Sequence, residues 1–136
     1  MERNIMELLY ELKKKFMIND GAFMKEAELT PSEYYTFIAI GDCDMLKSDL
    51  LAEKTGLSLS RISRVIDKMV VRGYLDRFPN SNDRRAITLE LTRDGHELLQ
   101  KILRFRKNCE SQIVQNVSDE ELEQIKQGLN TVLKLI

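Results

Sequence analysis

The feature that most constrains the fold of this chain is the run from Leu50 to Met69, in which a glycine separates two short helical patterns. Gly56 lies where a tight turn needs a positive φ, which glycine adopts without steric cost. In the second pattern, apolar residues recur at i, i+3, i+4 and i+7, which predicts one inward face. The run therefore predicts a helix-turn-helix. The inward residues of its second helix are Ile62, Val65, Ile66 and Met69.

The opposite face of this second helix is polar and basic. Arg61, Arg64 and Lys68 follow the spacing i, i+3, i+7, with Ser60 and Ser63 between them and Ser58 as the predicted N-cap. Short hydroxyl side chains let a helix approach a DNA groove closely, and long cations reach phosphates or guanine edges. On this helix alone, an ordinary solvated surface face explains the pattern equally well.

A β-hairpin is predicted directly after this helix. Two alternating stretches, Tyr74–Phe78 and Ile87–Leu91, read as strands, and the turn-rich segment Pro79–Asp83 reads as a long tip between them. Gly73 is expected to end the preceding helix.

The basic residues beside the hairpin tip favour DNA binding over an ordinary solvated surface. We expect Arg84 and Arg85 to lie in a solvent-facing loop, where an arginine of a β-wing can enter the minor groove. Asp83 is then read as orienting a neighbouring arginine through a charge-assisted hydrogen bond. A basic helix-turn-helix and a basic wing together favour DNA binding, because the alternative needs both by coincidence.

The charge distribution agrees with a local phosphate-binding surface. The chain has a net charge of −1, but the segment Ser58–Arg93 carries eight Lys and Arg against four Asp and Glu. The rest of the chain carries 13 basic and 18 acidic residues. A basic segment inside an acidic chain indicates that nucleic-acid contact is confined to that segment.

The remaining sequence predicts helices on both sides of this region. The fold class expected is mainly α with a small β-hairpin, a winged helix-turn-helix with N- and C-terminal dimerisation helices. The first helix should run from about Arg3 to Met24, with a kink or interruption at Asn19-Asp20-Gly21. Thr30 to Glu33 forms a capping box for a nearly all-apolar, buried central helix that ends at Gly41.

Two more helices are predicted after the hairpin. Thr92 caps a long helix with Leu98, Ile102, Phe105, Cys109 and Ile113 on one face, and Ser118 to Glu121 is a second capping box. The apolar stripes of the first and last helices lie far from the DNA-reading unit, which suits pairing between two chains. The stripes are Ile5, Leu8, Leu9, Leu12 and Phe16, and Leu122, Ile125, Leu129, Val132, Leu133 and Ile136.

Other candidate sites carry weaker signals. Tyr34, Tyr35 and Phe37 could line a ligand pocket, although core packing is the commoner fate of such residues. Cys109 lies on an apolar face and reads as a small buried hydrophobe, and the thiolate of Cys43 is disfavoured by its acidic neighbours. A lone His96 does not make a metal site, so we expect no metal, no cofactor and no enzyme activity. No signal peptide or membrane span is expected, which favours a cytoplasmic protein.

These motifs resemble those of one regulator family. The block from about Leu50 to Gly95 is similar to the MarR family of winged helix-turn-helix regulators, and its most specific part is Asp-Arg-Arg followed by Leu-Thr-x-x-Gly. The order of the helices also matches, so the resemblance covers nearly the whole chain. The residues that carry it are Leu51-Ala52, Gly56-Leu57-Ser58, Ser63-Arg64, Asp67-Lys68-Met69, Arg72-Gly73-Tyr74-Leu75, Asp83-Arg84-Arg85 and Leu91-Thr92-Arg93-Asp94-Gly95.

The resemblance implies an obligate homodimer that binds a pseudo-palindromic site in double-stranded DNA, usually as a repressor and often released by a small-molecule effector. It implies that Arg85, held by Asp83, enters the minor groove. Residues 1–136 would form one domain, with dimerisation helices at 1–29 and 96–136 and the winged helix-turn-helix at 30–95. The expected DNA-binding residues are Ser58, Ser60, Arg61, Ser63, Arg64, Lys68, Asp83, Arg84 and Arg85.

Two alternatives stay open on the sequence. The first is a redox-switched regulator of the same fold, which would use Cys109. The second is a winged-helix module that binds protein rather than DNA, and whose binding to duplex DNA would not weaken as salt rises.

Overall fold

The computed structural model describes residues 2–41, 43, 46–80 and 83–136, and at residues 80 and 83–87 it describes the backbone alone. The chain divides into two compact units, Met1–Gln100 and Lys101–Ile136. The elements are α1 (Ile5–Glu26), α2 (Pro31–Gly41), α3 (Ser48–Thr55), α4 (Leu59–Val71), β1 (Leu75–Asn80), β2 (Asp83–Leu91), α5 (Arg93–Val114) and α6 (Asp119–Leu135).

Helix α1 begins two residues later than predicted and is not interrupted. Asn4 caps it through a capping box, in which the amide N of Glu7 donates to Asn4 Oδ1 at 3.0 Å. The helix is continuous through 19–21, so the predicted interruption there is wrong. One glycine inside a long helix costs only about 1 kcal/mol, and Asp20 is held where it lies because its Oδ1 accepts a bond from the Tyr34 hydroxyl at 3.4 Å.

Helix α2 begins with the predicted capping box. The amide N of Glu33 donates to Thr30 Oγ1 at 3.2 Å, and the amide N of Thr30 donates to Glu33 Oε1 at 3.2 Å. Tyr34 and Phe37 are fully buried at the centre of the first unit. Tyr35, however, is 47% exposed, so the helix is not buried all round as expected.

The helix-turn-helix forms as predicted. Gly56 ends α3 with φ +73°, and Ser58 Oγ accepts from the amide N of Arg61 at 3.2 Å at the start of α4. Gly73, with φ +81°, ends α4 in a Schellman motif, in which the amide N of Tyr74 donates to the carbonyl of Met69 at 2.8 Å. The inward face of α4 is buried against α2, α3 and β1. Its residues are Ile62, Val65, Ile66 and Met69.

The wing is longer than predicted. Antiparallel pairing of β1 and β2 runs from Leu75 opposite Leu91 to Asn80 opposite Asp83, with an irregularity at Pro79–Asn80. The long tip expected at Pro79–Asp83 is therefore wrong, since Pro79 and Asn80 belong to β1 and Asp83 begins β2. A two-stranded ribbon has only edge strands, which tolerate proline. Ser81 and Asn82 lie outside the described residues.

The joint between β2 and α5 explains the Leu-Thr-x-x-Gly motif. Thr92 Oγ1 accepts from the amide N of Gly95 at 3.0 Å, which caps α5, and donates to the carbonyl of Gly73 at 2.5 Å. The amide N of Thr92 also donates to the carbonyl of Tyr74 at 3.1 Å. Gly95 is buried against the same carbonyl, and a Cβ there would lie 2.1 Å from the Tyr74 oxygen. The motif thus ties the end of the wing to the end of α4.

The second unit contains the end of α5 and all of α6. Ser118 caps α6 as predicted, with Ser118 Oγ accepting from the amide N of Glu121 at 3.1 Å. Cys109 is half-buried rather than fully buried. None of the helices in the described ranges is long and apolar enough to cross a bilayer.

We predict that Gly95→Ala destabilises the protein by about 2–3 kcal/mol, because the added methyl group overlaps backbone that cannot move freely. Urea unfolding followed by circular dichroism, at fixed protein concentration, measures this change. Gly21→Ala is the matched control, since a Cβ at Gly21 meets nothing within 4 Å. It should gain about 0.5–1 kcal/mol from helix propensity. Equal stability of the two variants would show that the joint tolerates a side chain.

Candidate nucleic-acid interface

The outer face of α4 is a continuous polar and basic surface. Ser58, Ser60, Ser63, Arg61, Arg64 and Lys68 are all exposed, as the spacing predicted. In contrast, Ile62 and Met69 have no exposed surface. Because the buried side of the helix is fully packed, the helix cannot rotate, and its basic side chains are held toward solvent.

The start of α4 has a fixed local geometry. Ser58 Oγ caps the helix by accepting from the amide N of Arg61, and the hydroxyls of Ser58 and Ser60 lie 3.2 Å apart in a hydrogen bond. The first turn of a helix carries unsatisfied N–H groups and a partial positive charge. This end of α4 therefore suits an approaching anionic backbone.

An ion pair joins the wing to α4. The guanidinium of Arg77 in β1 donates to Asp67 Oδ1 in α4, and both side chains are part-exposed. Arg77 was not among the predicted site residues. The alternation of side chains along β1 could have identified it. Residues two apart in a strand share a face, so Arg77 lies on the same face as Leu75, which is buried.

A second ion pair, also missed, joins α2 to the end of α4. Arg72 Nη1 donates to Glu33 Oε2 at 2.7 Å, and the side chain of Glu33 is only 3% exposed. The Arg72 guanidinium also lies 5.2 Å from the centre of the Tyr74 ring. Partial burial opposes the charged form of Arg72, but its hydrogen bond to Glu33 and the charge of that carboxylate raise its pKa. The guanidinium is therefore always charged in the folded protein.

For the three predicted DNA-binding residues of the wing, the structure describes the backbone alone. Asp83, Arg84 and Arg85 lie in β2, so the loop expected for the two arginines is wrong. Their side chains, and with them the predicted bond between Asp83 and an arginine, lie outside what the structure describes.

The three aromatic residues predicted to line a ligand pocket differ in how far they are buried. Tyr34 and Phe37 are buried, and Tyr35 is part-exposed with its ring centre 5.3 Å from that of Tyr34. A pocket of about 450 Å³ opens beside the pair of Glu33 and Arg72, and none of the three aromatic residues lines it. Their role in ligand binding stays a prediction. His96 is exposed, and Cys43 is half-buried.

A tight pair of helices with an outward basic face, followed by an antiparallel wing, defines a winged helix-turn-helix protein of the DNA-binding regulator class. The MarR family model matches residues 29–87, which include α2, α3, α4 and β1. Over these residues the chain matches the MarR family, whose members are transcription regulators and not enzymes.

The chain is similar over most of its length to one relative and, in fold, to two solved structures. The chain is 28% identical over 127 residues to the transcriptional repressor MprA of Escherichia coli (strain K12), which covers 93% of this chain and 67% of MprA. It is similar to Streptococcus pneumoniae FabT in complex with DNA, with a TM-score of 0.88, 20% identity and coverage of 96% and 94% of the two chains. It is also similar to the S. aureus MepR–DNA complex, with a TM-score of 0.84, 18% identity and coverage of 99% and 100%.

We predict that Arg72→Met destabilises the protein by about 2–3 kcal/mol, because it leaves the buried carboxylate of Glu33 without its charged partner. Thermal and urea unfolding measure the change. Arg93→Met is the control, since Arg93 is 92% exposed and pairs with Glu97 at 3.4 Å; it should change stability by less than about 0.5 kcal/mol. Equal effects would mean that the Glu33–Arg72 pair contributes no more than a surface pair.

Proposed function

We propose that this protein is a homodimeric transcriptional repressor that binds a pseudo-palindromic DNA operator through α4 and the wing. The observation that carries the proposal is the exposed face of Ser60, Arg61, Ser63 and Arg64 on a helix whose opposite face is completely buried. Such a helix presents the same side chains in the same direction to any partner.

The dimensions and chemistry of α4 suit the major groove. Its 13 residues span about 20 Å at 1.5 Å per residue, and the major groove, about 12 Å wide, admits one helix. Arg61 and Arg64 can donate two bonds each to a guanine edge, and Lys68 and the serines suit phosphates. These contacts are the ones we propose for each half-site.

The wing supplies the second contact. Arg84 and Arg85 follow Asp83 at the far end of the hairpin from the joint at Thr92, and β1 is tied to α4 through Arg77 and Asp67. A wing held against the recognition helix lies beside the adjacent minor groove, whose negative potential attracts arginine. We propose that Arg85 enters this groove.

The relatives support the finer parts of the proposal. MprA is named a transcriptional repressor, and the FabT and MepR structures are complexes with DNA. By this analogy we propose repression in the cytoplasm. Release by a small molecule is a further part of the proposal, and Tyr35, the exposed member of the three aromatic residues, is its candidate contact.

Exposed apolar surface supports a dimer. On α1 and, separately, on α6, the predicted stripes are largely uncovered in the single chain, and surface of this kind marks an interface. The exposed residues are Ile5, Leu8, Leu12 and Phe16 on α1, and Ile125, Leu129 and Leu133 on α6.

The DNA-binding proposal predicts different effects for the helix and the wing. Arg64→Ala should weaken binding to a duplex selected from a random pool by about 1–3 kcal/mol and relax one base preference in each half-site. Arg85→Ala should weaken binding to most sequences and lower the dependence on salt, because minor-groove arginines read groove width and potential. Affinity measured for operator variants at several salt concentrations tests both effects.

Arg106→Ala controls for the loss of one positive charge, since Arg106 is exposed on α5 outside the proposed surface. It should bind like the unmodified protein. Two results would contradict the proposal: binding that does not respond to salt, which favours a protein-interaction module, or Arg64→Ala and Arg85→Ala both binding normally.

If the apolar stripe of α6 forms the dimer interface, negative charges placed on it should separate the two chains. Leu129→Glu with Leu133→Glu should give monomers, because each charge would have to be buried in the interface. Removal of the chain after Val117 should give monomeric or aggregated protein with no specific DNA binding. Sedimentation analysis measures the mass, and Gln127→Glu, at an exposed position off the stripe, is the control. A Leu129→Glu, Leu133→Glu protein that stays dimeric would show that α6 is not the interface.

A further inference from the structure

Leu59 is an exposed aliphatic side chain at the start of α4, next in sequence to the residues that begin its polar face. It is the first residue of the helix and 61% of its surface is exposed. Its neighbours Ser58, Ser60 and Arg61 are all exposed and polar. Most of this large apolar side chain therefore lies outside the core of its own chain.

Leu59 is three residues before Ile62 and on the same side of the helix, but the core does not cover it. Ile62 lies one turn later and is fully buried, and the inner face continues through Val65 and Ile66. Because α4 begins at Leu59, no earlier turn of the helix covers its side chain. It therefore projects from the end of α4 rather than packing beneath it.

The polar groups around Leu59 are already occupied. Ser58 Oγ accepts from the amide N of Arg61, and the hydroxyls of Ser58 and Ser60 bond to each other at 3.2 Å. The exposed start of α4 thus carries an aliphatic side chain between two serines whose hydroxyls bond to each other. In helix-turn-helix proteins the N-terminal residues of the second helix meet the base edges.

We propose that Leu59 reads thymine, through contact of its side chain with the thymine C5-methyl group in the major groove. This inference rests on the proposed function, in which α4 enters that groove. The methyl group is the one apolar feature that a base pair of unmodified DNA displays there, so it is the feature that an aliphatic side chain can recognise. Leu59 would set a preference for thymine at one position of each half-site, separate from the preferences of Arg61 and Arg64.

The test uses a duplex selected from a random pool by the full-length protein, with each thymine replaced in turn by deoxyuridine, which lacks only the methyl group. The protein should lose about fourfold in affinity at one thymine of each half-site, the equivalent of one buried methyl group. Leu59→Ala should bind the thymine duplex more weakly and show no further loss with deoxyuridine at that position. Val71→Ala is the control, since Val71 is 87% exposed at the other end of α4, and it should keep the full response to deoxyuridine.

Unfolding measurements show whether Leu59→Ala is folded, and an exposed position predicts unchanged stability. The inference is overturned if no thymine of the selected site responds to deoxyuridine, or if Leu59→Ala responds as strongly as the unmodified protein. If the unmodified protein binds the selected duplex no better than a random duplex, the proposed function itself has failed, and the inference fails with it.

Discussion

The burial of one face of α4 is the constraint on which the rest of the structure depends. Ile62 and Met69 are fully buried, and the helix packs against α2, α3 and β1. Rotating the helix would expose these side chains at a cost of about 1.5–3 kcal/mol each. Ser60 and Arg64, on the opposite side, therefore keep one direction, and the basic surface follows from the core rather than from interactions among its own charges.

The wing is aligned with this helix through contacts at its base. The ion pair of Asp67 and Arg77 connects α4 to β1, and Thr92 connects the end of β2 to the turn at Gly73. Gly95 permits the close approach that the second contact requires. The hairpin is attached on both strands, so it is held beside α4 although, in the described part of the chain, its two strands pair only with each other.

Local signals in the sequence were sufficient for several helix ends, although not for the start of α1, and tertiary contacts were not predictable from them. Gly56 and the caps at Thr30, Ser58 and Ser118 follow from backbone chemistry within four residues. The pair of Glu33 and Arg72, 39 positions apart, depends on how α2 and α4 pack, which no local pattern specifies. The strand ends were misjudged for a related reason, because the residues around Pro79 favour turns in general but are acceptable in a two-stranded ribbon.

The central claim is that the outer face of α4 lies in the major groove of DNA in a two-fold symmetric complex. The most direct test is cleavage of a selected duplex by an iron chelate attached to Ser63→Cys, in protein that also carries Cys43→Ser and Cys109→Ser. Two symmetric clusters of cuts are expected, with centres about one helical turn, or roughly 10 base pairs, apart. The control is the same chelate attached to Gln112→Cys on α5. The proposed binding mode would be contradicted if Ser63→Cys cut no more strongly than this control, or if the cuts formed a single unpaired cluster.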